Sequence, residues 1–251
     1  MKRFGLFLFC AGALAAADDP VGRMLNEKLT VAQRNNACFA LRGNRSHEVI
    51  AAMRGAMAGD DVVRACAARN LREAGAVDEL ASALSAPEPE VRAVAARELG
   101  SFERPELMEV LVKAAHDPSL LVATNAVMGL GQYHDRAVLP KLLDLAAGGG
   151  AVGVAALSRA AQFDEPATLP VARKLLSGND PAGKLIALLV VGDCGDVADL
   201  PRLRELAAKS EPLGIRGRGF GLMPALDVSR AAKNALEAIE KRQARGATGA
   251  W

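Results

Sequence analysis

The sequence predicts an all-α protein, an α-solenoid built as a superhelical stack of antiparallel helix pairs, and three observations predict it. An alanine-centred segment recurs six times at a period near 30 residues. Each clear copy is followed by a second segment with apolar residues at helical spacing. Turn-forming residues punctuate the chain both between the copies and within them. Self-similarity at such a period points to stacked supersecondary units, none of which buries its apolar face alone.

The first segment is clearest in Val91-Arg92-Ala93-Val94-Ala95-Ala96-Arg97-Glu98-Leu99-Gly100, which repeats Val63-Arg64-Ala65-Cys66-Ala67-Ala68-Arg69-Asn70-Leu71 after 28 residues. Val122, Ala126, Leu130 and Gly131 follow 31 residues later, and Val152, Ala156 and Ala160 after 30 more. Gly183, Ala187 and Val191-Gly192 make a weaker copy, and Ala37 with Leu41 precedes them all. Small alanines at these positions let neighbouring helices approach closely.

The second segment carries Leu107, Val110, Leu111 and Ala114, then Leu139, Leu142, Leu143 and Ala146, then Leu169, Ala172, Leu175 and Leu176, then Leu200, Leu203, Leu206 and Ala207. Spacings of three and four mark one face of an amphipathic helix. Leu139-Pro140, Leu169-Pro170 and Leu200-Pro201 recur at its start, where proline costs no hydrogen bond because first-turn N–H groups lack intrahelical partners. Asp117-Pro118, Gly148-Gly149-Gly150, Asp180-Pro181 and Glu211-Pro212 separate units, and Gly75, His134-Asp135-Arg136 and Asp164-Glu165-Pro166 separate helices within them.

Composition agrees. The 251 residues are 51% hydrophobic but only 4% aromatic, with one Trp and one Tyr, which argues against a β-sandwich. Three histidines exclude a histidine-rich metal site. Lys2 and Arg3 precede an uncharged stretch from Phe4 to Ala17, and Ala15-Ala16-Ala17 is a small-x-small cleavage pattern. Residues 1–17 therefore read as a signal peptide, the mature chain as exported, periplasmic or secreted, with no transmembrane segment after cleavage. Without those residues the formal charge is zero, so overall basicity gives no argument for nucleic acid. The charge is uneven: residues 200–251 carry +5 and residues 18–199 carry −5. The solenoid is expected over 18–243 with about six to seven repeats, an insertion at 209–227 and a disordered tail at 244–251.

Three cysteines remain after the leader: Cys38, Cys66 and Cys194. They show no zinc spacing. One reading makes them small buried apolar residues. The other pairs Cys38 with Cys66, which fall on neighbouring repeats, in an oxidising compartment.

The stretch Pro89 to Gly100 and the run Val138-Leu139-Pro140-Lys141-Leu142-Leu143 resemble HEAT-type repeats, of the short bacterial kind grouped as PBS-lyase-like HEAT repeats. The resemblance covers roughly residues 31–208, with 229–243 as a capping helix. It implies an architecture more than an activity. Relatives attach bilins to light-harvesting proteins, and another HEAT family hydroxylates a lysine derivative with iron held by several His-Glu pairs. This chain has one such pair, His47-Glu48, too few for that ligand set. No catalytic residue, metal ligand or cofactor is assigned.

Two features are candidates for binding, and two others read first as structural. Lys113, Lys141, Lys174 and Arg202 lie in the second helix of successive units, a basic ladder that would grip an acidic partner. Arg216, Arg218 and Phe220 lie in the glycine-rich insertion, where two guanidinium forks would meet carboxylate or phosphate and the ring would anchor apolar surface. The alternative reading makes that insertion a lid over the last repeat through Ile215, Leu222 and Met223. Asp193, Asp196 and Asp199 read as turn and N-cap chemistry, or as a calcium site lacking the glycine and spacing of known loops. Arg64 and Arg92, with Asp60, Asp61, Glu88 and Glu90 beside them, read as structural contacts between units. The function these readings support is an exported, non-catalytic scaffold binding a protein or peptide. The alternatives are a lyase-like or hydroxylase-like enzyme on the same fold, and a nucleic-acid-binding solenoid.

Overall fold

Every element in the computed structural model, which describes residues 19–163, 166–209 and 227–248, is helical. The chain divides into two units, Met1–Phe102 and Glu103–Trp251. In the first, α1 (Pro20–Leu25) precedes α2 (Val31–Ala40), α3 (His47–Ala56), α4 (Asp61–Ala74), α5 (Val77–Ala83) and α6 (Pro89–Leu99). The second holds α7 (Pro105–Ala114), α8 (Leu120–Leu130), α9 (Leu139–Ala147), α10 (Gly150–Ala160), α11 (Leu169–Ser177), α12 (Pro181–Cys194), α13 (Leu200–Ala208) and α14 (Val228–Thr248). Single 3-10 turns lead into α9, α11 and α13.

Each unit is a two-layered stack. In the first, α2, α4 and α6 pack side by side, and α3 and α5 pack on them. In the second, α8, α10, α12 and α14 form one layer, and α7, α9, α11 and α13 lie against it. The first layer is the alanine-centred one. Ala67, Ala95, Ala126, Ala156 and Ala187 have no exposed surface, and Ala37 is also buried. The second layer seats Leu80, Leu111, Leu142, Leu176 and Leu203 against them. The spacing assigns Val110 to this core, but it is exposed and Met108 is buried instead. The helical register of α7 is thus rotated from the one the pattern suggests.

Local chemistry sets the ends. Asp60 accepts from the Val63 N–H at the start of α4, Thr30 and Gln33 form a capping box on α2, and Asp180 accepts from Ala182 on α12. Pro140, Pro170 and Pro201 occupy the first turns of α9, α11 and α13 as expected. The final helix reaches Thr248, beyond the 243 boundary, so 244–248 is helical rather than tail. Residues 1–18, most of the 209–227 insertion, and 249–251 lie outside the described residues.

The turn from α9 to α10 needs glycine twice over. Gly149 and Gly150 have φ of 71° and 62°, a region that residues with a Cβ rarely occupy. Gly153 then passes so near the end of α9 that a Cβ there would lie 2.9 Å from the Ala146 carbonyl oxygen. Gly153→Ala is expected to lower stability by about 1–2 kcal/mol through overpacking, read as a drop in urea midpoint at unchanged slope.

Candidate functional site

The sites that repeat are the turns between successive repeats, and an arginine holds each of two in the first unit. Arg64, four residues after the N-cap of α4, donates from Nε to the Met57 carbonyl and from Nη2 to the Gly59 carbonyl, at 2.9 and 2.6 Å. Its Nη1 pairs with Asp61 at 2.6 Å. Arg92 stands at the equivalent place in α6 and donates to Ala86 and Pro87 at 2.9 and 2.8 Å. The carbonyls that end a helix have no intrahelical donors, so a guanidinium fork satisfies them. Arg34, at the same offset in α2, pairs with Asp60. The structural reading of Arg64, Arg92 and Asp60 therefore holds; Glu88 and Glu90 are exposed.

In the second unit the basic residues of the second helices act likewise. Lys141 pairs with Glu109 at 2.6 Å, which raises the pKa of the ammonium through that hydrogen bond. Lys174 donates to the Ala147 carbonyl at 3.0 Å, and Arg202 to the Leu176 carbonyl at 2.9 Å. Arg202 and Lys209 also hold Glu205, whose carboxyl is pushed down to about 2 by Lys209 first and Arg202 second. Lys113 is exposed in the last turn of α7. Lys141 and Arg202 occupy the third residue of their helices, Lys174 the sixth and Lys113 the ninth. At about 100° and 1.5 Å per residue these positions stay within a sector of roughly 120° but lie up to about 9 Å apart along the helix axis.

The three aspartates separate. Asp193 is exposed, Asp196 caps the turn before α13, and Asp199 is 6% exposed beneath Arg173. Arg173 donates to Asp199 from Nε at 2.7 Å and from Nη2 at 2.9 Å, and to Asp196 at 3.2 Å. The arrangement is the capping one. The guanidinium holds the Asp199 carboxyl below its ordinary range, assisted by the Asp196 N–H. A lowered carboxyl contributes stability that is present above the unfolded pKa of about 4 and is lost as pH falls. Asp199→Asn is therefore expected to flatten the loss of stability between neutral pH and about pH 3, measured by denaturant titration at each pH.

Among the described residues no group of three or more His, Cys, Asp or Glu is placed to hold a metal ion. His47 and His116 are exposed. His134 closes on Glu103, whose carboxylate accepts the His134 N–H and approaches Nδ1, each at 3.0 Å. Glu103 takes this position with φ 49°, in the left-handed region that costs a non-glycine residue energy. Beside it the Tyr133 hydroxyl donates to the Arg104 carbonyl at 2.8 Å. Burial pushes that phenol up to about 12, with Glu106 and Glu103 adding to the shift.

Cys38 and Cys66 form a disulfide between α2 and α4, with Cα atoms 6.4 Å apart, so the paired reading is the one the structure contains. Cys194 is half-buried. Arg216, Arg218 and Phe220 lie outside the described residues.

Sequence reasoning passed over the concave features of the first unit. A groove of about 240 Å³ lies in the first unit, between the second-layer helices α3 and α5 and the start of α6. Met57 and Val91, both buried, give it an apolar floor. Arg54, Glu79, Ser82 and Glu88 stand around it. No stretch of sequence announces this site, because its residues come from the ends of three helices.

Residues 77–157 match the family of HEAT repeats. No curated protein matches the chain. Among solved structures, it is similar to the complex of CpcE and CpcF of phycocyanin lyase from Nostoc sp. PCC7120, at 20% identity over 95% of this chain and 100% of that one, with a TM-score of 0.41. It is similar to human deoxyhypusine hydroxylase in complex with glycerol at 18% identity over 92% and 100%, TM-score 0.39. An engineered protein shares 16% identity over 88% of this chain and 95% of its own, TM-score 0.46.

Proposed function

We propose that this HEAT-repeat protein is an exported, non-catalytic scaffold that binds a protein or peptide through its second-layer helices. The observation that carries the reading is the groove between α3 and α5. It combines an apolar floor with a charged rim, the composition that seats a side chain of a partner. Its volume, about 240 Å³, is below the roughly 300–1,000 Å³ typical of small-molecule pockets and suits one anchoring side chain of a longer ligand. Lys141, Lys174 and Arg202 are engaged by protein oxygens, which favours a protein surface over a phosphate backbone as the ligand. The Cys38–Cys66 bridge supports export, since disulfides persist in oxidising compartments. Among the described residues no helix is long and apolar enough to cross a membrane.

Two measurements test the proposal. N-terminal sequencing of protein from the envelope fraction is expected to begin at Asp18, and an intact Met1 on cytoplasmic protein would reject export. Cross-linking in the same fraction, followed by purification, is expected to recover a stoichiometric protein partner. Recovery of a bound chromophore or iron would instead favour an enzyme.

A further inference from the structure

We propose that the groove of the first unit takes a basic segment of the partner, with an arginine side chain as its anchor. This rests on the reading of the protein as a peptide-binding scaffold and adds the chemistry of the ligand.

Three observations converge on a cation. Glu79 and Glu88 both border the groove, and among the described residues neither makes an ion pair. Carboxylates placed beside an apolar floor keep their full attraction for an incoming guanidinium, because a partner that covers the floor also excludes water from the pair. Two walls are formed where helices end: Met57 and Ala58 follow α3, Ala83 ends α5 and Ala86 lies in the turn after it, while Glu88 and Val91 bring in the start of α6. The carbonyl ends of these two helices carry a partial negative charge. The protein already answers these turns with arginine from its own first layer, through Arg64 on Met57 and Gly59 and Arg92 on Ala86 and Pro87. These contacts show that the chemistry of the turns suits a guanidinium; a ligand arginine would rely chiefly on the two carboxylates.

The dimensions agree. An arginine carries an apolar stem behind its charged head. The stem fits the Met57 and Val91 floor while the head reaches Glu79 and Glu88 on the rim. The Arg64 and Arg92 guanidiniums on the Met57 and Ala86 carbonyls oppose this, and so does Arg54, exposed in the last turn of α3 on the same rim. Its charge reduces affinity for a basic ligand, and that gives the proposal a test of opposite sign.

The experiment is fluorescence anisotropy on the full mature chain with a short fluorescein-labelled peptide of alternating arginine and alanine. The same peptide with glutamate in place of arginine is the control. The wild-type protein is expected to bind the arginine peptide and not the glutamate one. Glu79→Gln with Glu88→Gln should weaken binding about tenfold or more, Arg54→Ala should tighten it, and added salt should weaken it. Circular dichroism checks that the variants fold; the Glu88 side chain makes no capping bond on α6, so its loss leaves that helix intact. Equal binding by the wild type and the double glutamine variant overturns the proposal, as does preference for the glutamate peptide or absence of binding. Envelope cross-linking with the double variant separates the two readings. A partner captured at wild-type strength leaves the scaffold function standing and refutes the groove. No partner captured by the wild type refutes the function itself.

Discussion

Reducing the Cys38–Cys66 bridge, or replacing both cysteines by alanine, lowers the unfolding free energy by about 3 kcal/mol. The bond ties α2 to α4 across 28 residues and encloses the whole of α3. Closing a loop of that length removes conformational freedom mainly from the unfolded chain. Both sulfurs sit in the core, Cys38 fully buried and Cys66 4% exposed, so the alanine variant also loses some packing. The measurement is denaturant unfolding with and without dithiothreitol. The wild type is expected to shift to lower denaturant on reduction and the double variant to stay where it is. A wild type indifferent to the reductant shows that the two cysteines are not bonded in solution. Thiol titration of the denatured protein reports the same point independently, since the bridge hides two thiols that appear only after reduction.

Gly195→Ala is expected to cost about 3 kcal/mol, at the upper end for overpacking. Gly195 ends α12 and is buried. A Cβ there would overlap the Val191 carbonyl oxygen and come within 2.9 Å of Asp199 Oδ2, the carboxylate that Arg173 holds. Neither neighbour yields easily: one is backbone, and the other is fixed by a two-pronged hydrogen bond. The Gly195 carbonyl also accepts from Arg242 Nη2 at 2.8 Å, and the Gly192 carbonyl accepts from Nη1 of the same residue. The substitution therefore pushes at once on the end of α12, on the cap of the turn before α13, and on the anchor of α14. Thermal or denaturant unfolding reads the loss. Arg242→Ala, which removes only the α14 anchor, should cost less, about 1–2 kcal/mol for the unmet carbonyls. If Gly195→Ala is neutral, the close approach at this turn is not present in solution.

Much of the fold was legible because it depends on residue size and period. The buried alanines from Ala37 to Ala187 are the ones that the 30-residue spacing selects, and the prolines of α9, α11 and α13 stand where first-turn chemistry admits them. What escaped depends on how far one helix slides along another. Arg173 meets Asp199 across 26 residues, and Arg242 meets Gly192 across 50. A period says that two helices are neighbours but not which turn faces which. The ladder of Lys113, Lys141, Lys174 and Arg202 illustrates this. The residues share a layer, but three of them reach back to the preceding unit or helix for an oxygen. The groove was illegible for a related reason. Met57, Glu79 and Glu88 belong to three different segments, and each looks like ordinary helix-end chemistry by itself. The disulfide stayed undecided because its spacing fits two buried thiols equally well.

The hydrogen bonds of Arg64 and Arg92 end on main-chain oxygens. A carbonyl is the same at every residue, so these contacts place almost no demand on which side chains the turn carries. Substitutions in the segments Met57 to Gly59 and Ala86 to Glu88 can therefore accumulate over descent while the arginine keeps the joint closed. The surface built from those same turns is then free to change its ligand without the stack having to be rebuilt. A contact made only to the main chain leaves the outward face of each joint open to selection for new partners.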